Sequence, residues 1–213
     1  MRTSDRNQCR STIAAVCAAL IIILTAVPAV SAISAEYLVY PNGTAYRASV
    51  EIENTSRYEF VESGLLGEPS PLTVKDIQLS GNCSPCNYSV TGPSFTSNVQ
   101  AITFEQGNYV VWFTSPVRDN HLQASFKSPY NVTITIPQEF DVRNPLLAGI
   151  SPGANVTRSP ENTTIIRWNK TQSADLRFYD SGRETLLYFF LQFMGIIAIV
   201  MLFPFLLTMK KKQ

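Results

Sequence analysis

The stretch LLYFFLQFMGIIAIVMLFPFLLTM, from Leu186 to Met209, determines the architecture of the chain, and Lys210 to Lys212 follow it directly. As an α-helix it would extend roughly 36 Å at ~1.5 Å per residue, which exceeds the ~30 Å of bilayer hydrocarbon. Fifteen of its uncharged residues are Leu, Ile, Phe or Val. Their insertion free energies sum to about −7 kcal/mol, which outweighs the cost of its one Gln and one Pro. Residues 185–209 are therefore predicted to be a transmembrane helix and residues 210–213 a cytoplasmic basic tail.

A second apolar run, Ile13 to Val30, follows an amino end that contains three arginines. Basic residues, an apolar core, a proline and then small residues are the layout of a secretory signal peptide. Residues 1–32 are therefore predicted to be a signal peptide cleaved after Ala32 or after Ala35, with an uncleaved membrane anchor as the alternative. Both forms place the middle of the chain outside the cytoplasm.

The charges indicate an orientation and exclude one class of partner. The region from Glu36 to Glu184 contains 11 Lys or Arg and 15 Asp or Glu, so its net charge is −4. A mildly acidic region without a basic stripe is not typical of a nucleic-acid-binding protein. Basic residues next to both apolar segments fit the positive-inside rule with the carboxyl end in the cytoplasm. The chain is predicted to be a type I single-pass membrane protein. Its last four residues are interpreted as a stop-transfer cluster, although in a eukaryote the same ending would be a retrieval signal.

Asparagine residues give independent support for this location. Twelve of them lie between Glu36 and Glu184, and eight begin an Asn-x-Ser/Thr triplet, the acceptor of N-linked glycans. Chance predicts two or three such triplets, because Ser and Thr make up about a fifth of the region. Asn82 is disfavoured by its neighbour Cys83. The predicted acceptors are Asn42, Asn54, Asn82, Asn87, Asn131, Asn155, Asn162 and Asn169.

Between the two apolar segments the sequence has the alternation that is typical of β-strands. Apolar residues at Tyr46, Ala48, Val50 and Ile52 alternate with polar ones, as expected for a half-buried strand. No segment between the two apolar runs shows a sustained apolar period of 3.6 residues, which a helix would require. Further strands are predicted at Leu72–Leu79 with a bulge at Lys75-Asp76, in a hairpin Ile102–Phe113 that turns at Glu105–Asn108, in the pair Leu122–Phe126 and Val132–Ile136, and at Thr164–Trp168 and Asp175–Tyr179.

Short strands at intervals near ten residues favour an all-β fold. Residues 36–184 are predicted to be one extracytoplasmic β-sandwich of the immunoglobulin-like type. Two smaller β units divided near Thr91–Ser94 are the alternative.

Two late stretches, Val142 to Ala154 and Leu176 to Glu184, read VRNPLLAGISPGA and LRFYDSGRE. They resemble an archaeal family of single-pass membrane proteins that has no assigned function, and the resemblance covers roughly the last 70 residues. It implies an archaeal envelope as the location. It implies no catalytic role for any residue.

Cys83 and Cys86 are the two cysteines outside the predicted signal peptide, and we interpret them as a disulfide turn. So small a loop stabilises a fold by only ~2 kcal/mol. The same spacing occurs in thiol–disulfide exchangers, in which the first cysteine begins a helix. Asn87 to Gly92 leaves no room for a helix, so a redox role and a metal site are kept as alternatives.

No catalytic, cofactor-binding or metal site is predicted. His121 is the single histidine and is interpreted as a solvated loop residue, which weakens both a metal site and a Ser-His-Asp arrangement. Carboxylate pairs such as Glu51 with Glu53 and Glu139 with Asp141 are explained as well by a solvated strand face. No Gly-rich phosphate loop is present.

Within the apolar helix, Gln192 and Gly195 lie three residues apart and therefore on one face. A polar side chain beside a small residue is a common packing motif of membrane helices, so a transmembrane helix partner is predicted here. The chain as a whole is predicted to be a non-catalytic interaction or structural protein of the cell envelope. It would contact the bilayer and bind a protein or an envelope polymer through its β domain. The alternative is a membrane-tethered thiol–disulfide oxidoreductase that uses Cys83 and Cys86.

Overall fold

The computed structural model describes residues 33–64, 68–81, 83, 85–92 and 99–210. The predicted signal peptide, the acceptor Asn82 and residues 211–213 lie outside the described residues. All described residues belong to one unit that extends from Ala32 to Gln213.

The described residues form thirteen strands and one helix. In chain order they are β1 (Ser34–Val39), β2 (Ala45–Glu59), β3 (Val61–Ser63), β4 (Pro69–Pro71), β5 (Lys75–Gly81), β6 (Tyr88–Thr91), β7 (Ala101–Pro116), β8 (His121–Ile136), β9 (Phe140–Asp141), β10 (Gly149–Ile150), β11 (Ala154–Arg158), β12 (Thr164–Arg177), β13 (Tyr179–Asp180) and α1 (Ser181–Lys210).

Nine of these strands form one hydrogen-bonded sheet, whose centre has the order β12-β8-β1-β2-β7. Strands β10 and β11 both pair with the outer edge of β12, and β5 and β6 both pair with the outer edge of β7. β1 and β8 run parallel, whereas the other pairs in the sheet are antiparallel. The structure confirms the all-β prediction. It does not confirm an immunoglobulin-like sandwich, because the nine strands are not divided between two sheets.

Three predicted pairs of short strands are each one long strand. The predicted hairpin Ile102–Phe113 lies within β7, and the pair between Leu122 and Ile136 lies within β8. The two strands predicted between Thr164 and Tyr179 are joined in β12, which ends at Arg177. The hairpin prediction is therefore wrong, since Glu105–Asn108 continue a strand and do not form a turn.

The interruptions in the alternating pattern are explained by irregular register within these long strands. The pairing of β2 with β7 shifts between Ile52 and Arg57, and that of β12 with β8 shifts between Trp168 and Ser173. A β-bulge inserts extra residues and changes the phase of the alternation without ending the strand. A predicted bulge near Lys75 is confirmed by a register shift between Lys75 and Gln78. Residues 72–74 lie outside the strands.

One face of the central sheet is buried. In β1 the side chains of Ala35, Tyr37 and Val39 are buried, whereas Glu36 and Leu38 point to the opposite, exposed face. Buried residues of β2, β7, β8 and β12 join the same apolar cluster, as alternation along half-buried strands requires. Burial raises the pKa of Tyr46 to about 12, so this core phenol stays neutral at ordinary pH.

Helix α1 begins directly after β13 without a linker. The Oδ1 atom of Asp180 accepts a hydrogen bond from the N–H of Arg183 at 2.8 Å, which caps the first turn of the helix. The most apolar 18-residue window within Ser181–Phe203 has a mean hydropathy of 2.5, and none of that window is buried against the protein. The predicted apolar helix is therefore present, and it is long enough to cross a membrane.

A pair of substitutions in β1 tests the assignment of its two faces. Tyr37→Ala is expected to lower the free energy of unfolding by about 3–5 kcal/mol, because it leaves a cavity in the core. Leu38→Ala removes a side chain that is 51% exposed on the other face and is expected to change it by less than about 0.5 kcal/mol. Urea unfolding of the full chain in detergent, followed by circular dichroism, measures both values. Equal losses would contradict the assignment.

Candidate functional site: the exposed face of the sheet

Two rows of side chains cross the exposed face of the sheet, and seven strands contribute one residue to each row. Both follow from the strand register, because residues paired across neighbouring strands point to the same side. The first row contains Asn155, Arg167, Thr133, Glu36, Ser49, Trp112 and Gln78. The second row contains Thr157, Ile165, Thr135, Leu38, Arg47, Thr114 and Lys75. We call these fourteen residues the two-row face.

The middle of the two-row face is a shallow groove of about 350 Å³. The guanidinium carbon of Arg47 lies 4.8 Å from the centre of the Trp112 ring, which is a cation–π contact. Hydroxyl groups of Ser49, Thr133 and Thr135 also line the groove. It therefore combines an aromatic ring with several hydrogen-bonding groups.

The two-row face differs in charge from the rest of the domain. It carries Arg47, Lys75 and Arg167 against one carboxylate, Glu36, so its net charge is +2 within a region whose net charge is −4. None of these four residues forms an ion pair within the described part of the chain. A local excess of positive charge attracts anionic groups. This face is not evident from the sequence, because its residues come from seven strands that only the register brings together.

The structure corrects the interpretation of His121 as a solvated loop residue. His121 begins β8, and its Nε2 atom lies 3.0 Å from Oδ1 of Asp175. Ser151 contacts the backbone of Asp175 instead, since the N–H of Asp175 donates to Ser151 Oγ at 3.1 Å. His121 is in β8, which pairs with one edge of β12, whereas Ser151 bonds to the other edge of β12. A catalytic triad requires the imidazole between the hydroxyl and the carboxylate, so these residues do not form one.

A disulfide joins Cys83 and Cys86, whose Cα atoms are 4.9 Å apart. Both cysteines are half-buried in the connection from β5 to β6. β6 begins at Tyr88, and the Tyr88 hydroxyl donates a hydrogen bond to the carbonyl oxygen of Ile77 in β5 at 2.6 Å. The prediction that no helix follows Cys86 is therefore confirmed. Within the described residues no group of three or more His, Cys, Asp or Glu is placed to hold a metal ion.

The predicted glycan acceptors among the described residues are exposed, with one exception. Asn131 is half-buried, and its Oδ1 atom accepts a hydrogen bond from the N–H of Lys170 at 3.1 Å. Asn54 and Asn162 have positive φ angles of 48° and 61°, which asparagine adopts more readily than most residues. Local geometry therefore supplies a second reason for asparagine at those two positions. The exposed acceptors are Asn42, Asn54, Asn87, Asn155, Asn162 and Asn169.

Gln192 and Gly195 both lie on the exposed surface of α1. A Cβ atom added to Gly195 would meet no neighbouring atom within 4 Å. The backbone is therefore open to close approach there, as the predicted packing motif requires. Association with another helix stays a prediction.

The two stretches that carry the family resemblance pack together at the end of the β domain next to the start of α1, which we call the base of the domain. β10 of the first stretch pairs with the last residues of β12 in the second, and β9, which directly precedes the first stretch, pairs with β13. The hydroxyl of the buried Tyr179 accepts a hydrogen bond from the N–H of Asn144 at 3.2 Å. The Arg143 Nε atom donates to Oδ1 and Oδ2 of Asp141 at 3.0 and 2.7 Å.

This cluster also determines the charge of Asp141. Partial burial raises the pKa of the Asp141 carboxyl, but hydrogen bonds from the Arg143 side chain and from the N–H groups of Arg143 and Val142 more than offset it. The pKa is therefore lower than usual, and the carboxylate stays ionised beside Arg143. Asp141 has a structural partner, which its sequence spacing from Glu139 did not indicate.

Comparison with known proteins agrees with the resemblance and extends it. No curated protein matches the chain. One family, described as a family of unknown function and designated DUF5803, matches residues 31–212. The match covers all the described elements from β1 to α1, whereas the resemblance in sequence was limited to the last part of the chain. The archaeal origin that it implied stays a prediction. The chain belongs to the DUF5803 family of proteins of unknown function.

Proposed function

We propose that this chain is a single-pass membrane protein whose β domain stands outside the cytoplasm and binds an anionic partner without catalysis. The partner is an acidic segment of a protein or an acidic envelope polymer. The observation that carries the proposal is the two-row face, which has three cations without ion pairs and a groove beside Trp112. The half-buried ring of Trp112 lies beside hydrogen-bonding groups, and aromatic rings with neighbouring hydrogen bonds are typical of protein-binding surfaces.

Membrane attachment is supported by α1. None of its most apolar window is buried, and Lys210 to Lys212, which follow the apolar stretch, are the expected cytoplasmic flank. The six exposed acceptor asparagines are compatible with glycans, because each is open to solvent. Together these features favour an envelope protein with its carboxyl end inside the cell.

The alternative function is thiol–disulfide exchange by Cys83 and Cys86. The spacing supports it, and both sulfur-bearing residues are partly exposed. The local structure does not favour it, since a strand follows Cys86 where exchangers have a helix whose dipole stabilises the thiolate. A clamp on the connection from β5 to β6 is the simpler role.

Protease treatment of intact cells or sealed spheroplasts tests the orientation. Residues 36–184 are expected to be digested, and a tag fused after Gln213 is expected to survive until lysis. Removal of N-linked glycans is expected to reduce the mass of the protein from its native host. Protection of the β domain in intact cells would contradict the proposal.

A photo-crosslinking residue placed in native membranes tests the binding face. At Leu38, which is 51% exposed in the groove, it is expected to yield one discrete adduct. Arg47→Glu in the same protein is expected to reduce that adduct severalfold, because it replaces attraction of an anion by repulsion. Val156 is 44% exposed on β11 and serves as the matched control. Similar adducts at Leu38 and Val156 would refute a specific face, and sensitivity to protease or glycosidase would distinguish a protein from a polymer.

The reduction potential of the Cys83–Cys86 pair separates the two functions. A structural bridge is expected below about −300 mV, whereas exchange enzymes range from about −270 to about −120 mV. Equilibration of the full chain with thiol buffers, followed by alkylation and mass spectrometry, gives the potential. A value above −230 mV, together with turnover of a disulfide substrate, would favour the oxidoreductase.

A further inference from the structure

The loop from Asn144 to Ala148, which we call the base loop, presents an exposed leucine in a fixed conformation. Leu146 is 73% exposed, which is the largest value for a large apolar residue outside α1 in the described part of the chain. Its N–H donates to Asn144 Oδ1 at 3.0 Å, and the N–H groups of Leu147 and Ala148 donate to the Asn144 carbonyl oxygen at 3.1 and 2.9 Å. These local hydrogen bonds fix the backbone of the loop, and the Leu146 side chain is left exposed to solvent.

The base loop is attached to the start of the helix. Asn144 donates its N–H to the hydroxyl of Tyr179, which precedes Ser181 by two residues. The apolar stretch starts at Leu186, six positions after Asp180, so the two residues are about 9 Å apart along the helix axis at ~1.5 Å per residue. The head-group layer of a bilayer is roughly 5–7 Å thick on each side. Because no flexible linker separates β13 from α1, the base loop is kept near that layer.

Arg177 places a positive charge on the same cavity as Leu146. Arg177, exposed at the end of β12, pairs with Gly149 in the sheet and has no ion pair among the described residues. It lines a polar cavity of about 380 Å³ together with Leu146, His121 and Asp175, and the Asp175 carboxylate contacts His121 and Gln123. Guanidinium groups bind phosphate oxygens in a fork geometry. An apolar tip beside an unpaired guanidinium is the composition of a surface that lies in the interface of a bilayer.

We infer that the base loop and Arg177 form a second membrane contact, in which Leu146 enters the interface and Arg177 binds lipid phosphate groups. This inference rests on the proposed membrane attachment through α1. The contact sets the orientation of the β domain relative to the bilayer. The two stretches that carry the family resemblance build this site, since the base loop lies in the first stretch and Arg177 and Tyr179 lie in the second.

Lipid quenching of a fluorescent probe tests the contact. The full chain, with Cys9→Ser and Cys17→Ser to remove the other thiols, is labelled with bimane at Leu146→Cys, Val156→Cys or Leu191→Cys and placed in nanodiscs of anionic phospholipid that contain spin-labelled lipid. Val156 lies on β11, away from the base, and is the exposed control. Leu191 reports on α1 itself. Circular dichroism and the intact Cys83–Cys86 bridge confirm folding.

Quenching at position 146 is expected to be at least threefold stronger than at position 156 and to fall by half or more when Arg177→Glu is added. Equal quenching at 146 and 156, with strong quenching at 191, overturns the second contact and leaves the anchor intact. Absence of quenching at 191 overturns the proposed anchor as well. Unchanged quenching after Arg177→Glu overturns the assignment of phosphate binding to Arg177.

Discussion

The structure depends on the insertion of its first strand into the middle of the sheet. β1 pairs with β2 on one side and with β8 on the other, so its backbone groups are satisfied only when both neighbours are present. Without β1, the two halves of the sheet would have unpaired edges in its place. The strand also contributes Tyr37 to the core and Glu36 to the exposed face. Cleavage after Ala35 would remove two residues of β1, whereas cleavage after Ala32 would leave the strand whole.

Bulges within the long strands account for much of the remaining architecture. β2, β7, β8 and β12 each continue past a shift in register, and β1 pairs only with one part of β2 and of β8. β1 begins at Ser34, and beyond that end no strand among the described residues separates β2 from β8. Side chains join β2 and β8 there. The Tyr130 hydroxyl donates to the Glu51 carbonyl oxygen at 2.9 Å, and Lys127 Nζ lies 3.5 Å from Glu59. The sheet is therefore regular from β11 to β7 where it presents the two-row face, and irregular at β5 and beyond the face.

The proposed binding face and the apolar helix are linked by a single strand. β12 contributes Arg167 to the first row and reaches Arg177 at the base, and α1 starts four residues later. The intervening residues are fixed by the β9–β13 ribbon and by the cap at Asp180. A partner bound at the face would therefore be held at a defined distance from the bilayer. A flexible stalk would not impose this constraint.

The sequence by itself determined the β class, the apolar helix and the absence of a helix after Cys86, because each depends on local periodicity, composition or spacing. It also indicated the family through two short stretches. It did not determine strand lengths, since a break in alternation looks the same for a turn and for a bulge. Only the tertiary structure decided that β1 is central, that His121 meets Asp175 and that Arg47 meets Trp112. Those contacts join residues far apart in the chain, and their register is fixed by pairing between strands, which no single segment encodes.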